Sequence, residues 1–265
     1  MDHGAASWAG VQAIRERAPL IHNITNLVAM ETVANCLLAL GASPAMAHAE
    51  AEVEELAAAA AALVVNIGTL EPAWAPAMHK AAGAAVRAGR PWVLDPVGAA
   101  ATAHRRGVAE RLAEDRPRVI RANASEILAL AGKPGRARGV DSAHAVDQAR
   151  DAAGDLARRC GCVVAVTGGI DHVTDGERGL EVANGDPRMT RVTALGCAAS
   201  ATVGAFLAVE DDPLQATAHG LAIFALAGER AAARTRGPGT LKVELLNELA
   251  LLDEAVVRAE VRIVG

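Results

Sequence analysis

The segment Val192–Cys197 places a glycine and a cysteine where a turn leads into a helix rich in small residues. N–H groups at a helix start lack intrahelical partners, and the helix dipole adds partial positive charge. Leu195, Gly196 and Cys197 are therefore predicted to form an anion-binding turn. The same field would lower the pKa of the Cys197 thiol and make it more reactive. The alternative is that Cys197 is a small packing residue, as free cysteines often are.

The segment Asn123-Ala124-Ser125-Glu126 follows a predicted strand and has two interpretations. An asparagine followed three residues later by a glutamate is typical of a capped helix start, in which side chains bond free backbone N–H groups. Glu126 could instead help to hold Mg²⁺ against phosphates, directly or through water, with Asp95 at another strand end sharing that duty. Spacing alone leaves both interpretations open.

Arg121 and the segment Thr167-Gly168-Gly169 are suited to binding phosphate. A guanidinium matches phosphate oxygens through its planar fork of donors. Thr167 supplies a hydroxyl, and Gly168 allows the backbone to approach a ligand closely. The sequence has neither a G-x-x-x-x-G-K-[ST] segment nor a G-x-G-x-x-G segment after a strand, so any nucleotide would be held in another way.

Short apolar runs alternate with longer alanine-rich helical patterns, which predicts βα units around a mainly parallel sheet. The predicted strands are Pro19–His22, Pro44–Ala47, Leu63–Ile67, Trp92–Asp95, Arg118–Arg121, Val163–Thr167 and Val261–Val264. The predicted helices are Leu27–Leu40, Ala51–Ala62, Ala73–Ala88, Ala103–Glu114, Ser125–Ala131 and Ala145–Arg159. We also expect a surface loop at Gly132–Ser142, a hairpin over Asp171–Ala183, and an almost entirely helical chain from Gly196 to the last strand.

Polar or glycine-containing segments follow several of these strands. In open α/β sheets the carboxyl ends of parallel strands meet at one rim, where ligands bind. The segments expected at this rim are His22-Asn23, His48, Asn66-Ile67-Gly68, Asp95-Pro96-Val97-Gly98, Arg121-Ala122-Asn123 and Thr167-Gly168-Gly169. Packing alone does not account for such convergence, which predicts a site for a small molecule.

The composition favours one large α/β domain over residues 1–265, since 52% of the residues are hydrophobic and can bury a sizeable core. Only 2% are aromatic, with no Tyr, and the formal net charge is −5, so we expect no nucleic-acid partner. Cys36, Cys160, Cys162 and Cys197 show no zinc-type spacing. The start Met1-Asp2-His3 lacks the features of a signal peptide, and no stretch has the pattern of a membrane span. We therefore expect a cytoplasmic protein that does not bind membranes.

Taken in order, the motifs resemble those of the hydroxyethylthiazole kinase family, in the ribokinase-like superfamily. The likeness runs from about Pro19 to Leu252. The matching blocks are His22-Asn23-Ile24-Thr25-Asn26, Gly41-Ala42-Ser43-Pro44-Ala45-Met46, Asn66-Ile67-Gly68-Thr69-Leu70, Leu94-Asp95-Pro96-Val97-Gly98, Asn123-Ala124-Ser125-Glu126-Ile127, Val166-Thr167-Gly168 and Gly237-Pro238-Gly239-Thr240. Several ordered blocks with suitable spacing make a specific match, whereas any single block would be weak.

This resemblance implies an α/β fold of three layers, α/β/α, with a mainly parallel central sheet and no separate lid domain. It implies transfer of the γ-phosphoryl group of ATP, with Mg²⁺, to the side-chain hydroxyl of 4-methyl-5-(2-hydroxyethyl)thiazole, a step of thiamine salvage. It also implies a homotrimer with active sites between subunits. Carried over by position, the implied roles are thiazole contacts for Met46, Ala194, Asn26 and Gly68, ATP contacts for Arg121, Thr167 and Gly168, and Mg²⁺ binding for Asp95 and Glu126. Cys197 stands where most of the superfamily has an aspartate base.

The chain departs from the family pattern at Ala194 and Leu195, where the family usually has Gly and Thr. If the glycine needs a positive φ, Ala194 is strained by about 1 kcal/mol or more. Leu195 lacks the hydroxyl donor of a threonine. Further departures lie at Leu27, Ala100 and Ala122. A general alanine bias explains most of these changes, and a shifted substrate is the alternative.

Three other functions fit part of the pattern. They are a ribokinase-like kinase for another small alcohol, a nucleotide-dependent hydrate dehydratase, and a trimeric binding protein that has lost catalysis. The first two typically keep an aspartate in the place of Cys197. The third has no need of the phosphate and metal residues Asp95, Arg121 and Glu126.

Overall fold

All the strands in the described chain belong to one sheet. The structure is a computed structural model that describes residues 1–133 and 143–265. The strands are β1 Leu20–Ile24, β2 Ser43–Met46, β3 Ala62–Asn66, β4 Trp92–Asp95, β5 Val119–Asn123, β6 Val163–Thr167, β7 Asp171–Thr174, β8 Gly179–Val182 and β9 Ile263–Val264. Their spatial order is β2-β1-β3-β4-β5-β6-β7-β8-β9. Strands β1 to β6 pair in parallel and β6 to β9 antiparallel, which confirms the mainly parallel sheet.

Helices cover both faces of this sheet. They are α1 His3–Arg17, α2 Met30–Leu40, α3 Val53–Ala59, α4 Trp74–Arg87, α5 Ala103–Glu114, α6 Ala124–Leu130, α7 Ala143–Cys160, α8 Leu195–Leu207, α9 Pro213–Arg234, α10 Pro238–Leu251 and α11 Glu254–Glu260, with a 3₁₀ turn at Pro187–Arg191. One hydrophobic cluster connects α1, α2, α8, α9, α10 and α11 to one face of the sheet. A second cluster connects α3, α4, α5, α6 and α7 to the other face. The predicted three layers are confirmed, and residues 1–133 and 143–265 contain no second sheet that could form a lid.

Strand β3 shows why the central strands are continuous apolar runs. Successive side chains of a strand point to opposite faces of the sheet. Leu63 and Val65 accordingly lie in the cluster with α3 to α7, whereas Val64 lies in the cluster with α8. Since helices bury both faces, no position of the strand can be polar until it reaches the rim at Asn66.

Helix α1 was not predicted from the sequence, although its boundaries carry recognisable signals. The side chain of Asp2 accepts a hydrogen bond from Ala5 N–H at 3.0 Å, as an N-cap residue does. The helix ends at Arg17, its C-cap Ala18 has a left-handed φ of 42°, and Pro19 follows. Its buried stripe contains small residues such as Ser7 and Gly10, so the apolar periodicity that marks most helices is weak here.

Two alanine-rich helices are shorter than predicted. The helix expected over Ala51–Ala62 ends at Ala59, and Ala62 pairs instead with Ile21 in the parallel sheet. Helix propensity is a weak preference, and ladder pairing with burial outweighs it. The helix expected from Leu27 begins at Met30, after a turn in which Ala29 N–H bonds Asn26 C=O at 3.0 Å. Of the loop predicted at Gly132–Ser142, residues 134–142 lie outside the described residues.

Helix α8 sets the position of the predicted anion-binding turn. It lies on the sheet against β1, β3 and β4. A Cβ atom at Gly204 would come within 2.7 Å of Val64 Cγ2, so only glycine permits this close approach. Its amino terminus thereby reaches the carboxyl ends of the strands. In the described part of the chain, no helix is both long and apolar enough to cross a bilayer.

Candidate active site

The turn before α8 has the geometry of an anion site. Ala194 precedes the helix with φ 70° and ψ −5°, in the left-handed region, and no described side chain caps the helix start. The first intrahelical bond runs from Ala198 N–H to Ala194 C=O at 2.9 Å. The N–H groups of Leu195, Gly196 and Cys197 therefore lack intrahelical partners, as the sequence predicts. Gly196 is exposed, so a ligand can reach these donors.

Ala194 has a positive φ, which the glycine of the family pattern would adopt without strain. The strain that the sequence predicts at Ala194 therefore has a conformational basis. Leu195 points its side chain into the core, where it is 4% exposed. The leucine therefore contributes packing in the place of a threonine hydroxyl, and only its backbone serves the turn.

Replacing Ala194 with glycine is expected to stabilise the protein by about 1 kcal/mol, because glycine adopts this φ without a Cβ clash. For a chain of this size the melting temperature should rise by about 2–4 °C, measured by thermal unfolding. Ala198→Gly, in the first turn of the same helix, is the matched control and should lower stability by about 1 kcal/mol. A melting temperature that falls in both variants would show that Ala194 is not strained.

A chain of buried polar groups runs beneath the turn. Asn26 Nδ2 donates to Cys197 Sγ at 3.2 Å and to Asn66 Oδ1 at 2.9 Å. Asn66 Nδ2 donates to Asp95 Oδ2 at 2.7 Å, and Ser200 Oγ donates to the same oxygen at 2.8 Å. Three strand ends and α8 are thus joined in one network. Asn26, Cys197 and Asp95, predicted separately from the sequence, are brought together by it.

Asp95 is a nearly inaccessible carboxylate, only 1% exposed. Burial raises the pKa of Asp95 to about 6, although the positive charge of Arg121 and the bonds from Ser200 and Asn66 lower it. Both hydrogen bonds reach Oδ2, which leaves Oδ1 for a ligand at the rim.

The sequence-based expectation of a reactive Cys197 thiol is wrong. Burial, and next the charge of Asp95, raise the pKa of Cys197 to about 11, against the opposing effects of Asn26 and Arg121. The helix-start field does not offset the removal of the sulfur from water. Cys197 therefore carries its proton at neutral pH.

Iodoacetamide at about pH 7.5 is expected to label Cys160 well before Cys197, because only thiolates react quickly. The hydrogen bond from Cys162 and the charge of Arg159 lower the pKa of Cys160, which makes it an internal control. Peptide mass spectrometry over a time course measures both sites. Raising the pH should accelerate labelling of Cys197 more than labelling of Cys160. Equal rates at about pH 7.5 would contradict the raised pKa of Cys197.

Glu126 forms the capping arrangement that its spacing allows. Asn123 Oδ1 accepts from Glu126 N–H at 3.0 Å, and Glu126 Oε2 accepts from Asn123 N–H at 3.0 Å. Its other oxygen, Oε1, accepts from Gly98 N–H at 2.8 Å and so ties the loop after β4 to α6. The capping interpretation is confirmed. Within the described ranges no three His, Cys, Asp or Glu side chains form a metal-binding group, so a cation here would keep water or phosphate ligands.

Arg121 on β5 faces the α8 turn. Its Nη1 lies 3.1 Å from the place a Cβ of Gly196 would occupy. None of the ion pairs within 4 Å found among the described residues involves Arg121, and its Nε is buried without a hydrogen-bond partner there. A partly buried cation without a partner, set against free N–H groups, favours an anionic ligand between them.

The glycine segment after β6 is open beside Arg121. Thr167 Oγ1 donates to Ala122 C=O at 3.3 Å, so its hydroxyl is partly engaged. A Cβ at Gly168 would meet only Ile170 O, at 3.8 Å, and one at Gly169 would meet nothing within 4 Å. This open surface next to a cation would accommodate phosphate groups.

Residues predicted to contact the organic substrate have two kinds of environment. Met46 and Ala194 are partly buried and pack against the cluster around α8. Gly68 is buried, and a Cβ there would come within 2.7 Å of Asn26 Cβ. Gly68 therefore allows Asn26 to approach, and its N–H donates to Asn66 Oδ1 at 2.9 Å.

The histidines expected at the rim are structural. His22 is buried, and its Nε2 lies 2.9 Å from Ala47 O. His48 Nε2 lies 2.7 Å from Thr25 O and 3.1 Å from Thr25 N. Both rings thus hold the ends of β1 and β2 together. The sequence reasoning also missed Ser200, whose only signal is its place one turn after Cys197 on α8.

A mainly parallel sheet covered on both faces, with a glycine turn at a helix start opposite an arginine and strand-end carboxylates, defines a protein of the ribokinase-like fold class. The solved structure of a ribokinase-like superfamily protein from Enterococcus faecalis V583 superposes with a TM-score of 0.61 over 87% of this chain and 86% of that one. At 11% identity this likeness is one of fold alone. The pyridoxal kinase from Staphylococcus aureus in complex with AMP-PCP and pyridoxal has a TM-score of 0.62 at 15% identity, over 80% and 88% of the two chains.

The sequence comparisons are more specific. The model of the hydroxyethylthiazole kinase family matches residues 11–255. Hydroxyethylthiazole kinase from Granulibacter bethesdensis is 54% identical over 249 residues, 94% of this chain and 91% of that protein. The solved hydroxyethylthiazole kinase protein from Pyrococcus horikoshii OT3 has a TM-score of 0.90 at 42% identity, over 97% and 98% of the chains. The chain therefore belongs to the hydroxyethylthiazole kinase family.

Proposed function

We propose that this enzyme transfers the γ-phosphoryl group of ATP to the hydroxyl of 4-methyl-5-(2-hydroxyethyl)thiazole, which serves thiamine salvage. The observation that carries the proposal is the opposition of the α8 turn and the unpaired guanidinium of Arg121, with Nη1 3.1 Å from the Cβ position of Gly196. Family membership supplies the identity of the acceptor alcohol.

The transferred phosphoryl group develops its charge on non-bridging oxygens, and catalysis depends chiefly on positioning and electrostatic stabilisation. The N–H groups of Leu195, Gly196 and Cys197 point at these oxygens from one side. Arg121 and the open turn at Thr167 and Gly168 hold the donor phosphates from the other. Because these groups are fixed by the sheet and α8, they need little reorganisation as charge moves.

The described carboxylates fit a Mg²⁺ ion that keeps some of its water. Asp95 Oδ1 is free of the two hydrogen bonds that reach Oδ2, whereas both oxygens of Glu126 accept backbone N–H bonds. Asp95 would hold the ion directly or through water, and Glu126 would act through water. When bound, Mg²⁺ neutralises phosphate charge. The residues of the chain align the alcohol and the phosphate.

Asn26, Gly68, Met46 and Ala194 are proposed to contact the thiazole beside the turn. Cys197 would then lie next to the acceptor hydroxyl. Its raised pKa makes it a weak base at neutral pH, so its main contribution is to position the hydroxyl until the proton leaves late in the transfer.

Cys197→Ser is expected to lower kcat by about tenfold, without abolishing turnover, because electrostatic positioning supplies most of the rate. Steady-state kinetics measure the effect, and Cys160→Ser, at the end of α7 before the amino end of β6, is the matched control. A folded Cys197→Ser protein without activity would make the thiol an essential base.

A coupled assay of ADP release tests the function itself. The purified protein is incubated with Mg-ATP and a panel of thiazole, pyrimidine and sugar alcohols. Turnover confined to hydroxyethylthiazole supports the proposal. Turnover only with another alcohol would move the activity elsewhere in the ribokinase-like class, and binding without turnover would indicate lost catalysis.

The homotrimer with active sites between subunits is part of the proposal. Leu27 and Val28, directly after Asn26, are 60% and 59% exposed. Apolar side chains exposed beside a site are typical of a surface that another subunit covers. Light scattering should give the mass of a trimer, and Leu27→Glu should yield smaller species with weaker binding of the alcohol.

A further inference from the structure

The segment between β6 and β7 is closed by a carboxylate that neither the sequence pattern nor the proposed mechanism uses. Gly168 N–H donates to Asp171 Oδ1 at 2.9 Å. Neither Gly168 nor Gly169 has a positive φ, and a Cβ at either would meet no atom closer than 3.8 Å. Backbone conformation and internal packing therefore do not require these glycines. Their open face is left for a ligand, and Asp171 fixes the shape of the turn that presents it.

Asp171 and Arg121 carry opposite charges on the strands at either side of β6. Burial raises the pKa of Asp171 to about 6, while the bond from Gly168 N–H and the charge of Arg121 lower it. The two side chains are not among the ion pairs within 4 Å in the part of the chain that the structure describes. Asp171 therefore does not occupy the Arg121 donors, which leaves them for phosphate.

The sheet order shows which elements would surround an anion at this turn. Arg121 lies on β5 and Thr167 ends β6, the next strand, while Asp171 begins β7 on its far side. The α8 turn approaches from the opposite direction, over β3 and β4. An anion held by Arg121 and the Gly168 turn would thus have the α8 turn on one side and the start of β7, which carries Asp171, on the other.

We propose that Asp171 is a positioning residue for ATP, which holds the Gly168 turn in the shape that presents its open face to the same phosphates as Arg121. This inference rests on the proposed kinase function. Asp171 acts through Gly168 and does not itself touch the nucleotide.

Three variants separate this role from general stabilisation. Asp171→Ala removes the acceptor and the charge, and Asp171→Asn keeps an acceptor oxygen but loses the charge. Asp175→Asn is the matched control, because Asp175 closes the next turn of the same hairpin through bonds from Glu177 N–H and Arg178 N–H. Binding of AMP-PCP with Mg²⁺ is measured by calorimetry, alongside kcat and the two KM values.

Asp171→Ala is expected to weaken AMP-PCP binding and raise the KM for ATP about tenfold, the size typical of losing a hydrogen bond to a charged group. The kcat and the KM for the alcohol should stay within about twofold. Asp171→Asn should lie between wild type and Asp171→Ala, at about threefold, because its oxygen rescues the bond to Gly168 N–H. Asp175→Asn should change no kinetic constant.

Unchanged AMP-PCP affinity in Asp171→Ala would overturn the proposal, as would equal damage to kcat and both KM values. If Asp171→Ala does not fold, Asp171→Asn decides alone, and wild-type affinity in that variant overturns the proposal. The wild type could bind AMP-PCP more tightly than Asp171→Ala does and still not phosphorylate hydroxyethylthiazole. That result would contradict the proposed function and leave the role of Asp171 intact.

Discussion

Asp95→Asn is expected to lower kcat by at least about 100-fold and, at the same time, to make the folded protein more stable at about pH 8. The loss of activity follows from the loss of a rim carboxylate whose Oδ1 is free for the metal and phosphate charges. The gain in stability follows from removing a buried charge. Asparagine keeps an oxygen that can accept from Asn66 and Ser200, so the network beneath the turn survives.

The direction of the pH dependence follows from the pKa of Asp95. Burial raises this pKa from 3.8 in the unfolded chain to about 6 in the fold. Between these values the folded state binds more protons than the unfolded state, so the wild type loses stability as the pH rises through this window. Above the pKa of Asp95 in the folded state this loss of stability is complete, and it amounts to about 3 kcal/mol. Asp95→Asn escapes it, and its advantage at about pH 8 should exceed that at about pH 5 by about 1 kcal/mol.

Urea unfolding of both proteins at the two pH values measures this difference. Asp212→Asn is the control of opposite sign, because the hydrogen bond from Arg178 lowers the pKa of Asp212, which also caps α9. That variant should lose stability at neutral pH. If Asp95→Asn is as stable relative to wild type at about pH 5 as at about pH 8, Asp95 does not have a raised pKa.

Arg121→Met is expected to raise the KM for ATP about tenfold and to lower kcat about 100-fold. Methionine keeps much of the apolar stem and removes the only side-chain cation that faces Gly196 from β5. The charge lost would stabilise both the bound phosphates and the charge that develops during transfer, so both constants should change. Arg121→Lys should recover only part of the activity, because an ammonium lacks the planar fork of donors.

Arg159→Met is the matched control. Arg159 donates to Leu130 C=O at 2.8 Å near the carboxyl end of α7, away from the rim. Its loss should reduce stability without a selective effect on ATP. A rise in the KM for the thiazole alcohol alone after Arg121→Met, with the KM for ATP unchanged, would place Arg121 on the acceptor side of the reaction.

The fold could be predicted from the sequence because its signals are local. The strands Trp92–Asp95 and Val163–Thr167 have the bounds that the sequence predicts, since each is a short apolar run that is buried on both faces of the sheet. The predictions failed where local preference and tertiary contacts disagree. Ala62 has helical neighbours in sequence but pairs in the sheet, and α1 lacks a strong apolar stripe because small residues form its buried face.

The candidate site was predicted only as a set of residues at one rim. Strand ends converge in this class of sheet, so Asn66, Asp95 and Arg121 could be expected near one another. Their individual states could not. The pKa of Cys197 depends on how much water the fold removes and on its distance from Asp95, and neither quantity is encoded by the residues next to it in the chain. The role of Gly68 likewise arises from its contact with Asn26, which is distant in the chain.

By itself, the sequence determined the α/β alternation, the family motifs and the glycine turn at Gly196, because each depends on residue types at short spacing. Only the tertiary structure decided the chemical properties of this turn. Burial raises the pKa of Cys197, so the thiol remains protonated, and the packing of α8 on β3 sets the free N–H groups opposite Arg121. Desolvation and long-range geometry are properties of the folded chain, because they depend on groups that only folding brings together.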